Sequence, residues 1–341
     1  MIDDARRAQL LAAKLTALAR PHLGDLEPTA VPFPGGAALA AGQSIWILLD
    51  TTPVSAVGPA LVVADRHAVA SGQEIPDAHL VVEAEHAGVV ARRAACFVPA
   101  PTVWSIDGTA LAVATPDPPP LVRPAPASPA LAELLVDADL EVLVEDGIVR
   151  GEVLGLEVAR IVNGHTTDGT PIDEPTLEVG VGHADREMTA LVHAGLPPTD
   201  QLARVRDIVL ALRHATAERH PLNQLAPERW LRSRLIAAPS RIGLASLCAA
   251  EGAVPRPNLR DRAVAFGLGA RPNGRAVVVA CSVGIDLDLV PAAADARLVH
   301  DPEADLVIVV PERDAHPVTQ LLAERLVRPA ELVALPGDWR D

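Results

Sequence analysis

Glu141-Val-Leu-Val-Glu-Asp-Gly-Ile-Val-Arg-Gly-Glu-Val-Leu-Gly-Leu-Glu-Val-Ala-Arg-Ile-Val162 is the stretch on which the fold of the second half of this chain turns. Asp146-Gly147 is a tight-turn dipeptide between apolar runs, so residues 140–145 and a long strand over 148–162 are expected to form a hairpin. Side chains alternate along a strand. Read as one strand, 148–162 places Glu152 in a row with Leu154, Leu156 and Val158, and Glu157 in the other row with Val153, Ala159 and Ile161. A further strand over 177–181 keeps Leu177, Val179 and Val181 on one face and leaves Glu178, Gly180 and Gly182 on the other. A carboxylate is costly to bury unless it is paired, hydrogen-bonded or bound to a cation. Glu152, Glu157 and Glu178 are therefore the candidate catalytic residues. Arg150 and Arg160 share the Glu152 face and would meet the same need as plain ion pairs; strand edges and solvent-facing rows would meet it too.

Working outward, a helix over 129–137 precedes the hairpin, a polar loop spans 163–175, and a helix follows over 185–194. Asp185, Thr189 and His193 fall on one face of that helix, with Asp185 at its start as a cap. Apolar residues at three- and four-residue spacing predict helices over 199–214 and 226–236. The chain then reads strand (276–282), helix, strand (305–310), helix (316–326), strand (331–334), with Asp286 and Asp288 as helix caps. That alternation indicates α/β packing. The first part reads as a helix (4–20), strands (44–49, 80–83), a helix (87–97) with Arg92 and Arg93 on its wet side, and a hairpin (102–106, 110–114). The proline density after Thr115 forbids helix and central strand and marks a spacer. The expected fold is thus α/β in two domains: a small N-terminal domain (1–115), a linker (116–128), and a C-terminal domain (129–341) built on a mixed sheet flanked by helices.

The order helix, hairpin, carboxylate-bearing strands, helix, later strand resembles the PD-(D/E)xK, or restriction-endonuclease-like, core over residues 129–195. The resemblance implies a metal-dependent phosphodiester hydrolase in which Glu157 or Glu152 is the hairpin acid and Glu178 the second ligand, with Glu157 and Glu178 holding Mg²⁺. It departs at Glu178-Val179-Gly180, where glycine stands at the lysine position, so the site is degenerate or an arginine substitutes. The segments beginning at Leu177, His220 and Cys281 resemble those of a conserved hypothetical family of GC-rich bacteria, which brings no activity with it.

Composition narrows the chemistry further. Lys14 is the only lysine, tyrosine is absent and aromatics are 2% of the chain, so Schiff-base, phosphate-loop and base-stacking chemistry lack their residues. The net charge is −15, yet residues 202–275 hold thirteen arginines against five acids. Within that segment Arg229, Trp230, Arg232 and Arg234 are candidate contacts for phosphate or for an acidic protein, while docking on the chain's own acidic remainder is the alternative. Walker A, H-E-x-x-H and G-x-S-x-G motifs are absent from the sequence. Three widely spaced cysteines, Cys96, Cys248 and Cys281, read as buried thiols in a reducing compartment. The acidic start and the lack of a long apolar run point to a cytoplasmic protein with no membrane partner. The functional expectation is a nucleic-acid-associated or scaffold protein with a degenerate nuclease-like core. The rivals are a small-molecule or nucleotide-binding protein with its ligand at the ends of the 276–282 and 305–310 strands, and a pure interaction module.

Overall fold

The computed structural model describes residues 4–73, 77–124, 128–165, 171–192, 195–217, 220–256 and 263–340. The chain is α/β and divides into two compact units. One unit comprises residues 1–119 with 287–295 and 316–330; the other comprises 120–286 with 296–315 and 331–341. Among the described residues no helix is long and apolar enough to cross a membrane.

The first unit is built on a six-stranded sheet whose strands lie in chain order. Its elements are α1 (Asp4–Leu23), β1 (Thr29–Val31), β2 (Gly36–Ala41), β3 (Ser44–Leu49), α2 (Val57–Ala70), β4 (Asp77–Glu83), α3 (Ala84–Ala94), β5 (Thr102–Asp107) and β6 (Ala110–Val113). Strands β3, β4 and β5 run parallel, and α2 and α3 supply the crossovers that parallel neighbours require. Helix α1 lays Leu15, Leu18, Ala19 and Leu23 against Trp46, Leu48, Val81 and Ile106. Arg92 and Arg93 do not face water as their helical spacing suggested: both are buried around the fully buried Asp295. Its carboxylate accepts from Arg92 Nε at 2.7 Å and Arg93 Nε at 3.0 Å, and Arg93 also donates to Asp288 and to the Val54 carbonyl, each at 2.9 Å. Asp288, expected as a helix cap, stands immediately before the helix that begins at Leu289, its carbonyl accepting the Ala292 N–H at 2.9 Å, and its carboxylate also accepts from Arg93. A buried carboxylate needs paired charge, and two successive guanidiniums supply it here.

The second unit contains two sheets. The first is a four-stranded antiparallel meander of β7 (Glu141–Glu145), β8 (Ile148–Val153), β9 (Leu156–His165) and β10 (Pro171–Val179), preceded by α4 (Pro129–Asp137) and followed by α5 (Gly182–Val192) and α6 (Pro198–Leu212). After α7 (Pro227–Ala237) come β11 (Ser246–Ala250), β12 (Ala265–Ala270), β13 (Ala276–Cys281), β14 (Asp305–Pro311) and β15 (Glu331–Leu335), a separate mixed sheet in which β13, β14 and β15 are parallel. Helices α8 (Leu289–His300) and α9 (Pro317–Glu324) lie between those last strands in the chain. Helices α4 and α6 cover one face of the meander, setting Leu135, Leu202, Val205 and Val209 against Val149, Val153 and Ile161. Helix α7 packs Trp230, Leu231 and Leu235 on Val277, Val279, Val307 and Val309 of the second sheet.

The strand expected over 148–162 is two strands. Leu154 and Gly155, at φ 48° and 72°, form a two-residue hairpin turn of the kind that needs positive φ at both positions. A side chain at position 155 would collide with the backbone of Arg229, so glycine lets α7 pass close over the turn. Strand β9 then carries a bulge. Gly151 pairs with Ala159 and Glu152 with Glu157, which leaves Val158 without a cross-strand partner.

Candidate functional site

That bulge decides where the carboxylates stand. Cross-strand neighbours share a face. Arg150 lies opposite Arg160, Arg160 opposite Glu178, Glu141 opposite Glu152, and Glu152 opposite Glu157. Skipping one residue at Val158 rotates Glu157 onto the face that holds Arg160, so all these residues stand on one side of the meander. The opposite-face placement expected for Glu152 and Glu157 is corrected by the turn and the bulge together. The structure brings the three candidate glutamates to a single charged face, opposite the apolar face covered by α4 and α6.

Every one of them is held by arginine. Glu152, fully buried, accepts from Arg229 Nη1 at 2.6 Å and from Arg232. Arg229 also donates to both oxygens of Glu145, at 2.6 and 2.8 Å. Arg150 bridges Glu145, at 3.3 Å, and Glu157. Arg186 from α5 bonds Glu157 at 3.1 Å and lies 3.5 Å from Glu178, which also accepts from Arg160 at 2.7 Å. The result is an unbroken alternation: Arg232, Glu152, Arg229, Glu145, Arg150, Glu157, Arg186, Glu178, Arg160. Glu141 lies at its buried end, accepting from the Ser233 hydroxyl. Burial would push the Glu152 carboxyl up, but Arg232 and then Arg229 outweigh it and hold the group below the usual carboxylate range. Burial likewise opposes the charge on Arg229, and Glu152 and Glu145 more than reverse that, raising its pKa. For Glu141 burial, helped by the charge of Glu152, outweighs the Ser233 hydroxyl and Arg232 and holds it above its ordinary value.

Residues Arg229, Trp230 and Arg232 are 4%, 1% and 1% exposed, so they are not the phosphate or partner contacts their sequence suggested. Helix α7 is instead a splice. Arg229, Arg232 and Ser233 fall one helical turn apart and reach the meander, while Trp230, Leu231 and Leu235 belong to the core of the second sheet. Arg234 donates through Nε to the Arg340 carbonyl at 2.7 Å. Several other described arginines of 202–275 follow suit: Arg206 meets Asp139 and Asp207, Arg256 meets Glu228, and Arg271 and Arg275 meet Asp305. Arg213 is fully buried and meets four carbonyls, those of Leu154, Leu222, Leu225 and Ala226, at 2.6–3.1 Å, with its guanidinium 4.7 Å above the Trp230 ring. Burial pulls its pKa down to about 10, because carbonyl dipoles replace water less fully than a carboxylate would. No sequence pattern announced Glu145 or Arg213; both lacked the interruption of an apolar row that singled out the other residues.

Divalent-metal ligation does not fit this donor set. A hard cation needs free carboxylate oxygens, and here guanidiniums occupy them. Among the described residues no group of three or more His, Cys, Asp or Glu side chains is placed to hold a metal ion. Gly180, at the position where the resemblance calls for lysine, has φ 138°, and a side chain there would meet the backbone of Asp185 and Arg186 at 2.8–3.0 Å. That position is sterically closed. Arg186, from the helix responsible for the closure, supplies the cation instead.

The remaining candidates also resolve. Asp185, expected as the cap that starts the helix, instead stands in the first turn of α5, and its carboxylate accepts backwards from the Val181 N–H at 2.7 Å; His193 lies outside the described residues. Beyond β13, at the strand ends where a ligand was one of the rival expectations, the Gly284 N–H donates to Asp314 at 2.8 Å. Of the cysteines, Cys281 is buried, and burial pushes its thiol up to about 12, whereas Cys248 is exposed rather than buried. Comparison with protein-family models, with curated proteins and with solved structures gave no match.

Proposed function

We propose that this chain is a cytoplasmic, non-hydrolytic scaffold protein whose nuclease-like order of elements carries a structural ion ladder in place of a metal centre. The observation that carries this reading is Arg186, bonded to Glu157 and beside Glu178, the two residues a shared metal would need. A guanidinium there satisfies both carboxylates without creating a Lewis acid or an activated water. Most of the described arginines of 202–275 meet the protein's own acids and carbonyls, which supports the scaffold reading over a nucleic-acid one. Three free cysteines suit a reducing compartment.

The test is titration of the full chain with Mg²⁺ and Mn²⁺ by calorimetry, alongside cleavage and low-salt binding assays on DNA and RNA. The expected outcome is no heat of metal binding, no cleavage, and no salt-dependent nucleic-acid complex. Metal-dependent cleavage that disappears in Glu178→Gln would overturn the proposal.

A further inference from the structure

Helices α5 and α6 do not close completely on one another. Between them lies a cavity of about 470 Å³, within the range of small-molecule sites. Its body is apolar, walled by Val181, Val205, Ile208, Val209 and Leu222. Positions 205, 208 and 209 fall on one face of α6 at helical spacing, with Val205 and Val209 buried at the back and Ile208 left 47% exposed. An apolar wall left half open to water is unfavourable unless something covers it.

Three polar groups give the cavity a chemical direction. Arg204 lines it, is exposed, and makes no hydrogen bond or ion pair with the described residues. Most other described arginines of this segment meet carboxylates or carbonyls, whereas Arg204 is a cation without such a partner among the described residues, beside an apolar wall. His220 also lines the cavity, and its Nδ1 accepts the Leu222 N–H at 3.3 Å. With Nδ1 accepting, the neutral ring carries its proton on Nε2, which is then a donor. The opposing charge is Asp185, but its carboxylate is engaged by the Val181 N–H at the start of α5, where the helix dipole favours it. The net demand of the site is therefore for an anion attached to an apolar body.

We propose that the α5–α6 cavity binds a small amphipathic carboxylate, aliphatic or aromatic, with the anionic group on Arg204 and His220 and the apolar body against Val205, Ile208 and Val209. Asp185 and Thr189, four residues apart on α5, form the facing wall, and Arg186 between them anchors that helix to Glu157. The ladder thus fixes the wall against which the ligand packs. This inference is independent of the scaffold role: a protein with no metal chemistry can hold or lack such a ligand.

The experiment is isothermal titration of the full chain with decanoate, decanol and decylamine at matched ionic strength. Decanoate is expected to bind best and decylamine least. Arg204→Gln, at an exposed position, should weaken decanoate about tenfold while leaving decanol unchanged, the loss expected for one charge-assisted contact. Ile208→Glu should abolish decanoate binding by charging the wall, and the far-ultraviolet circular dichroism of both variants should match the parent. Failure of decanoate to bind the folded parent, equal binding of decylamine, or an Arg204→Gln variant that binds decanoate unchanged would each overturn the proposal.

Discussion

Arg213 and Arg229 are buried in the same unit, yet they are held in opposite ways. Arg229 is one link in a run of alternating charges, and its two carboxylate partners strengthen its proton. Arg213 donates its hydrogen bonds to carbonyl oxygens and lies over the Trp230 ring, and burial brings its pKa down to about 10. The first arrangement balances charge across two secondary-structure layers; the second spends a whole charge on satisfying backbone. Carbonyls left without donors in a dry interior each cost about 1–3 kcal/mol. A fully buried arginine can therefore be a device for closing irregular backbone. Leu154 and Ala226, two of its acceptors, are non-glycine residues with positive φ, at 48° and 43°.

The largest effect should come from breaking the carbonyl site. Arg213→Met keeps volume but removes the guanidinium from four carbonyls, of which Ala226 keeps backbone N–H donors from Arg229 and Trp230, and is expected to destabilise the second unit by more than about 3 kcal/mol, read from denaturant unfolding. Preserved stability would show that water can take the arginine's place. Next is Glu152→Gln, which strips charge from the fully buried end of the ladder and leaves Arg229 and Arg232 short of a partner; about 3–5 kcal/mol is expected. Glu178, 37% exposed at the open end, should cost no more than about 1 kcal/mol as Gln. A flat profile from Glu152 to Glu178 would mean that burial does not grade the ladder.

Two pH effects sharpen the contrast. Glu152 has a folded pKa below its unfolded one, so its contribution is present above about pH 4.3 and is lost as pH falls through the folded value. Glu141 runs the other way. Its folded pKa is raised, so the folded state favours the protonated form and that advantage is lost as pH rises through the folded value. Glu141→Gln should consequently raise the melting temperature slightly at neutral pH and match the parent near pH 4. A lower melting temperature at pH 7 would show that the Ser233 contact outweighs burial.

Much of the architecture could be read from periodicity. Helices α1, α4, α6 and α7, and the strand–helix alternation after residue 276, follow from apolar spacing and turn residues. The connection at Leu154-Gly155 could not, because leucine is not a residue that signals positive φ; its conformation is imposed by α7 and by Arg213 from elsewhere in the chain. The same holds for the bulge at Val158, which leaves no mark in composition but turns Glu157 to the other face. Glu152, Glu157 and Glu178 were legible as unusual because they interrupt apolar rows. Arg150 and Arg160, read as ion-pair partners, do pair, with Glu157 and Glu178, and α7 docks on the chain's own acids as the alternative for the Arg-rich segment had it. Which glutamate each arginine meets, and the part played by Arg186, were not legible, since they depend on the bulge and on a helix beyond the meander.

That remoteness bears on how the chain is made. The bonds from Arg229 to Glu152 and Glu145, and from Arg232 to Glu152, span 77, 84 and 80 residues. During synthesis the meander and α5 leave the ribosome with Arg150, Arg160 and Arg186 already at hand for Glu145, Glu157 and Glu178, but Glu152 meets its two hydrogen-bonding guanidiniums only when α7 has been made. The buried end of the charged face is thus the last part of it that the growing chain can complete.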